Sequence, residues 1–177
     1  MWEYFLILQR LIFIKPMSRF LLCVVFLCLT PVIVRAQTPV MDHPLDLKFT
    51  AVDGKKVDLS KMRGKVVLIG FWATWCPGCR EELPVILGAY KKYHDKGFEV
   101  IGISLDQDKD EMLDFTKKNG MVWPQYFDGK GWENSISHGF GISGIPVTWL
   151  IDKKGIIMTN EEAYNLNDEV EKLLKAP

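Results

Sequence analysis

From Lys65 to Trp72 the chain reads KVVLIGFW, an almost unbroken apolar run bounded by polar turns. A run of this length without alternation predicts a strand buried on both faces. From Pro77 to His94 the apolar period lengthens, and Leu83, Ile86, Leu87 and Tyr90 fall on one face of a helix. Pro77 suits the first helical turn, where its missing N–H costs nothing. Pro84 lies inside the helix, where proline kinks it. Phe98 to Leu105 (FEVIGISL) is a second buried strand. Asp108 to Gly120 reads as a helix with Met112, Leu113 and Phe115 inward, closed by Asn119-Gly120.

Weaker signals flank this centre. Leu47 to Ala51 alternates in the strand period, Asp53-Gly54 is a turn, and Val57 and Leu59 sit on a returning strand. Ser60 caps a short turn ending at Gly64. Later come a short strand over Trp123–Phe127, a helix and loop over Trp132–Phe140, and a strand over Val147–Ile151. Asp152-Lys153-Lys154-Gly155 turns the chain into a partner strand over Ile156–Thr159, and Leu166–Leu174 forms a last helix. Strands alternating with helices predict parallel pairing, and the late hairpin adds antiparallel strands. The expected fold class is α/β, a central mixed sheet flanked by helices, with an N-terminal β extension over the first strands.

The N-terminus has a different composition. Residues 20–29 read FLLCVVFLCL, after Arg19 and before TPVIVRAQT. A basic start, a short apolar stretch and a small residue at a cut site describe a secretory signal, with cleavage expected after Ala36. The run from Phe20 to Val34 falls short of the about 20 apolar residues of a spanning helix. Residues 1–36 are thus expected to be a signal peptide, the alternative being an uncleaved membrane segment. A second apolar patch, WEYFLILQRLIFI, precedes it, which fits a true start at Met17 rather than Met1. Residues 37–46 are expected to be an exposed lead-in, and 47–177 the folded domain.

Charge and cysteine content narrow the chemistry. Four of the 22 basic and one of the 22 acidic side chains lie in residues 1–36, leaving 18 and 21. A domain this close to neutral gives no electrostatic footprint for nucleic acid. Two of the four cysteines, Cys23 and Cys28, lie in the leader, and the other two form Trp75-Cys76-Pro77-Gly78-Cys79. Such a pair can close into a disulfide and reopen by thiolate exchange. Half a zinc site is the other reading, but zinc takes four protein ligands, or three with water, and His43, His94 and His138 are dispersed. Neither a metal nor a cofactor is expected. At the end of a buried strand and the start of a helix, Cys76 meets unpaired N–H groups and the positive end of the helix dipole, which favour its thiolate. Cys79, one turn on, can attack a mixed disulfide at Cys76. Cys76 is therefore the expected nucleophile and Cys79 the resolving thiol. Trp75 is expected to shield the motif and offer a flat contact surface.

FWATWCPGC, a proline five residues past the second cysteine, and GIPVT resemble the thioredoxin superfamily. VIGISLDQD and GISGIPVTWLIDKKG extend the resemblance to its exported TlpA/ResA-like thiol-disulfide oxidoreductases, over roughly residues 40–175. The resemblance implies a thioredoxin-like fold in which Pro146 is a cis-proline facing the CxxC and Ile145 lies beside the disulfide. The backbone there would pair with the substrate chain. Glu82 matches an acidic position that would assist proton movement; a solvent-facing helix carboxylate is the alternative. The resemblance also implies a reductase of disulfide-containing client proteins, fed by a membrane thiol donor, with cytochrome c maturation as a pathway and an extracytoplasmic location such as the periplasm. Two departures stand out. Gly70 occupies the place of the buried Asp of cytoplasmic thioredoxins, and Pro-Gly reverses their Gly-Pro, so the direction of electron flow is not carried over.

Two rival functions follow from the same residues. A thiol peroxidase of the peroxiredoxin type shares the fold, but its Pro-x-x-x-Thr-x-x-Cys pattern is not met, because Thr74 stands two before Cys76 rather than three. A non-catalytic binding module on this fold is the other rival, against which Cys76, Cys79 and Pro146 all count.

Overall fold

A computed structural model describes residues 43–159 and 165–177. The expectations for the leader, its cleavage after Ala36 and the start at Met1 or Met17 lie outside the described residues. Among those residues no helix is long and apolar enough to cross a membrane.

The order is β1 (Lys48–Thr50), β2 (Lys56–Asp58), β3 (Val66–Trp72), α1 (Pro77–Tyr93), β4 (Phe98–Ser104), α2 (Lys109–Lys118), β5 (Gln125–Tyr126), α3 (Ser135–Gly139), β6 (Val147–Ile151), β7 (Ile157–Thr159) and α4 (Leu166–Lys175). Strands β1 and β2 form a small antiparallel pair, and the other five form one sheet in the order β5-β4-β3-β6-β7. Strand β3 is parallel to β4, and β4 to β5, while β6 runs antiparallel to both β3 and β7. This is the mixed α/β sheet with an N-terminal β extension that the hydrophobic pattern predicts.

The sheet has a core on each face, which explains why β3 carries no polar alternation. Val67, Ile69 and Phe71 join Ile101, Ile103, Trp149 and Ile151 on one face, covered by Leu45, Leu47, Val57 and Leu59 of the N-terminal segment and by Met112. Phe71 and Trp149 meet edge-on at 4.9 Å. Val66 and Leu68 face the other way, onto Leu83, Ala89 and Tyr93 of α1 and Val170 and Leu173 of α4. Trimming a fully buried Phe or Leu from such cores costs about 2–5 kcal/mol.

Several details differ from expectation. Asp58, not Ser60, caps the short turn over Leu59–Met62, its carboxylate accepting from the Ser60 amide. Leu45 is buried and its amide donates to Gly155 O, so the lead-in joins the core before residue 47. Leu113 points outward, because Met112 and Thr116, one turn apart, take the inner face of α2. Strand β5 has only two residues, since Pro124 has no N–H for the ladder.

The topology sets the site. Parallel β3 and β4 end at the same edge, with Trp72 paired to Ser104. Because β6 is antiparallel to β3, the start of β6 returns to that edge, with Phe71 opposite Val147. The residues after Trp72, after Ser104 and before Val147 are thereby brought together.

Candidate active site

Cys76 is the N-cap of α1 and Pro77 opens the helix. Cys76 and Cys79 form a disulfide with Cα atoms 5.3 Å apart. The Cys79 amide donates to Cys76 Sγ at 3.1 Å. That hydrogen bond has a direction: a donor aimed at Cys76 Sγ favours negative charge on that sulfur rather than on Cys79. Exposure does not separate the two cysteines, at 3% and 8%. Trp75, by contrast, is half exposed beside them and stacks at a tilt on Trp132, ring centroids 5.9 Å apart.

The Ile145–Pro146 peptide is cis. Pro146 packs so close to the motif that a Cβ on Gly78 would lie 3.1 Å from its Cδ. A glycine between the cysteines therefore has a local reason here, the approach of the proline ring. Ile145 is half-buried and packs against the core that includes Cys76 and Cys79. Glu82 is half-buried one turn past Cys79, and Thr148 of β6 donates to its Oε2 at 3.5 Å. The structure thus brings Cys76, Cys79, Trp75, Ile145 and Pro146 to one edge, and turns Glu82 toward β6.

Behind the motif lies a small cavity of about 30 Å³, walled in part by Gly70, Gly102, Trp72, Cys79 and Leu83. It lies where Gly70 and its register partner Gly102 carry no side chains. Gln125 folds across Gly102 and accepts from Trp72 Nε1 at 3.0 Å.

Sequence reasoning passed over the most heavily bonded residue near the cysteines. Asp106 is buried and accepts from Thr74 N at 3.0 Å, Thr74 Oγ1 at 2.7 Å and Ser104 Oγ at 2.8 Å. Ser104 O accepts in turn from Nδ2 of the buried Asn134, whose Oδ1 caps the amides of Ile136 and Ser137. The available signal was Ser-x-Asp directly after a buried strand, which places a carboxylate over the end of the sheet.

A fold that presents a closable dithiol at a helix N-terminus, facing a cis-proline, agrees with what known proteins show. Residues 40–159 match the AhpC/TSA family. The chain belongs to the AhpC/TSA family. Among known relatives, the thiol-disulfide oxidoreductase ResA of Bacillus thuringiensis subsp. konkukian is 33% identical over 126 residues, 71% of each chain. Among solved structures, the thioredoxin domain of a thiol-disulfide oxidoreductase from Bacteroides vulgatus superimposes with a TM-score of 0.68 at 27% identity, over 78% of this chain and 99% of that one. A thioredoxin-family thiol:disulfide interchange protein from Chlorobium tepidum TLS gives 0.62 at 26% identity, over 78% and 99%. This member of the AhpC/TSA family is an oxidoreductase of the thiol-disulfide type on a thioredoxin-like fold, and its chemistry is thiol-disulfide exchange with protein substrates and redox partners.

Proposed function

We propose that the chain reduces disulfides in client proteins outside the cytoplasm, with Cys76 as nucleophile and Cys79 as resolving thiol. The Cys76 thiolate attacks a client disulfide. A bond forms between Cys76 Sγ and one client sulfur, and the other client sulfur leaves as a thiolate and takes up a proton. Cys79, deprotonated, then attacks Cys76 Sγ. The client's second sulfur is released, and the Cys76–Cys79 disulfide holds the two electrons' worth of oxidation. A membrane thiol donor restores the dithiol. Unfolded cytochromes that need free cysteines are the client class, and the periplasm or an equivalent compartment is the location. The N-terminal segment brings the chain there, either cleaved or retained as an anchor.

The observation that carries this reading is the Cys79 N–H on Cys76 Sγ. It makes the two sulfurs unequal at a helix N-terminus, which supports Cys76 as the attacking one. Ile145 and Pro146 stand beside them as the substrate ledge, and Trp75 as a contact face. Glu82 is placed by its sequence position to assist proton movement. Superimposable pH profiles for Cys76 alkylation in the unaltered chain and in Glu82→Gln would discard that part.

The peroxidase alternative has an observation against it. The Thr74 hydroxyl donates into Asp106, so its proton is not offered to a peroxide oxygen. Equilibration of the Cys76–Cys79 pair with glutathione tests the direction of flow. A pair more reducing than glutathione is expected; a pair well above it would make the chain an oxidase, and rapid hydrogen peroxide consumption would make it a peroxidase.

A further inference from the structure

We propose that Trp132 acts with Trp75 as an aromatic platform that binds an apolar side chain next to the reactive cysteine of a client, a reading that rests on the exchange chemistry above. Among the described residues six large apolar side chains are exposed, and only two of them are aromatic. Those two, Trp75 and Trp132, are the pair that meets, with ring planes 56° apart. Two indoles at that angle offer two carbon surfaces, so one aliphatic or aromatic side chain can touch both.

Their place in the chain says what covers them. Trp75 precedes Cys76 directly. A mixed disulfide at Cys76 puts the client cysteine's Cα about 4.4–6.8 Å from that of Cys76. The next client residue lies about 3.8 Å further along. Side chains flanking the client cysteine therefore pass close to Trp75, the residue next to Cys76, whose ring meets that of Trp132. A protein client that exchanges with Cys76 carries its flanking side chains to this face.

The platform is also anchored, through backbone on both sides. Thr74, the residue before Trp75, is held by Asp106 through both its amide and its hydroxyl. Ser104 donates to the same carboxylate, and its carbonyl accepts from Asn134, two residues past Trp132. Asp128 accepts from the amides of Lys130 and Ser135, which closes the loop carrying Trp132. The segments bearing both indoles thus depend on one connected set of hydrogen bonds. A surface ordered before binding loses less entropy on binding, and tryptophan is over-represented among residues that dominate binding energy.

The test measures reduction, by the reduced full chain, of three disulfide-linked peptides that differ only in carrying Leu, Gly or Lys beside the cysteine, with glutathione disulfide as a fourth substrate. The Leu peptide is expected to have a kcat/KM about tenfold above the Gly peptide, expressed in KM, the size of one aromatic contact of about 1.4 kcal/mol. In Trp132→Ala that Leu-to-Gly ratio is expected to fall to about one, and in Trp132→Phe to stay within about threefold of the original. Equal rates for Leu and Gly in the unaltered chain would overturn the platform, and this comparison needs no variant to fold. A preference for Lys would also overturn it, since indole faces attract cations too. So would an unchanged ratio in Trp132→Ala. Failure to react with any of the four disulfides would instead overturn the exchange reading itself.

Discussion

Glu99 and Asp106 lie at opposite ends of β4, and each collects donors. Glu99, near the start, meets Lys65 Nζ at 2.7 Å and His94 Nδ1 at 3.4 Å, with the lysine about half exposed. Asp106, just past the end, is shut away from water and takes its donors from the loop that leads to Cys76. The first arrangement joins a largely buried carboxylate to two side chains that reach water, so salt screens it only in part and it is worth about 1 kcal/mol. The second fixes backbone: an amide, two hydroxyls and, through Ser104, an asparagine that caps the next helix. The carboxylate at one end of the sheet holds side chains that reach solvent; the one at the other end holds the backbone of the reactive edge.

Removing Asp106 should break this contrast most strongly. Asp106→Ala leaves the Thr74 amide and the Ser104 O–H without their acceptor and the Thr74 hydroxyl with only the longer contact to Glu111 Oε1 at 3.4 Å, and each buried group left unpaired costs about 1–3 kcal/mol, with incomplete additivity. A loss of about 3 kcal/mol or more is expected in chemical denaturation, together with a changed alkylation rate at Cys76. A variant as stable as the parent would show that the network does not hold the loop. Asn134→Ala should come next, at about 1–2 kcal/mol, the usual worth of a helix cap. It should also alter the fluorescence of the Trp75–Trp132 pair, and unchanged emission would separate the cap from the platform.

Lys65→Ala probes the other end of β4. Its cost should stay under about 1 kcal/mol and shrink further in high salt. A cost matching that of Asn134→Ala would erase the distinction between the two ends. Asp128 sharpens the comparison as an intermediate case. Burial pushes its carboxyl up, but the Ser135 and Lys130 amides and the Ser135 hydroxyl outweigh burial and hold it below its ordinary 3.8. A lowered folded pKa means that its contribution is present above about pH 4 and is lost as pH falls through the folded value. The contribution should be a few tenths of a kcal/mol after screening. Asp128→Asn should therefore lose stability at neutral pH and converge with the parent in acid; a gap that widens in acid would reverse the sign.

How much of this was written in the sequence depends on the range of the contacts. The strands β3, β4 and β6, the long helix α1 and the CxxC at its start are local patterns, and the structure has them within a residue or two. The mixture of parallel and antiparallel pairing followed from helices between strands and a hairpin at the end, but the strand order, with β6 beside β3, did not. What escaped notice joins residues far apart. Thr74 and Asp106 are separated by 32 positions, Asn134 and Ser104 by 30, and Trp72 and Gln125 by 53. Each of these polar residues reads alone as an ordinary loop or strand position. Only closure of the sheet shows that they share one buried edge. Leu113 was misplaced for a similar reason, because two adjacent apolar residues on a short helix leave the inner face ambiguous until the neighbours are known.

The central claim is that the two sulfurs have unequal roles, and a trapping experiment tests it most directly. Reduced Cys79→Ser and reduced Cys76→Ser are each incubated with a disulfide-bonded peptide, quenched with acid and weighed by mass spectrometry. Unequal roles predict a stable mixed disulfide at Cys76 in Cys79→Ser and little or none in Cys76→Ser. Equal adducts on both variants, or an adduct only on Cys79, would contradict the assignment.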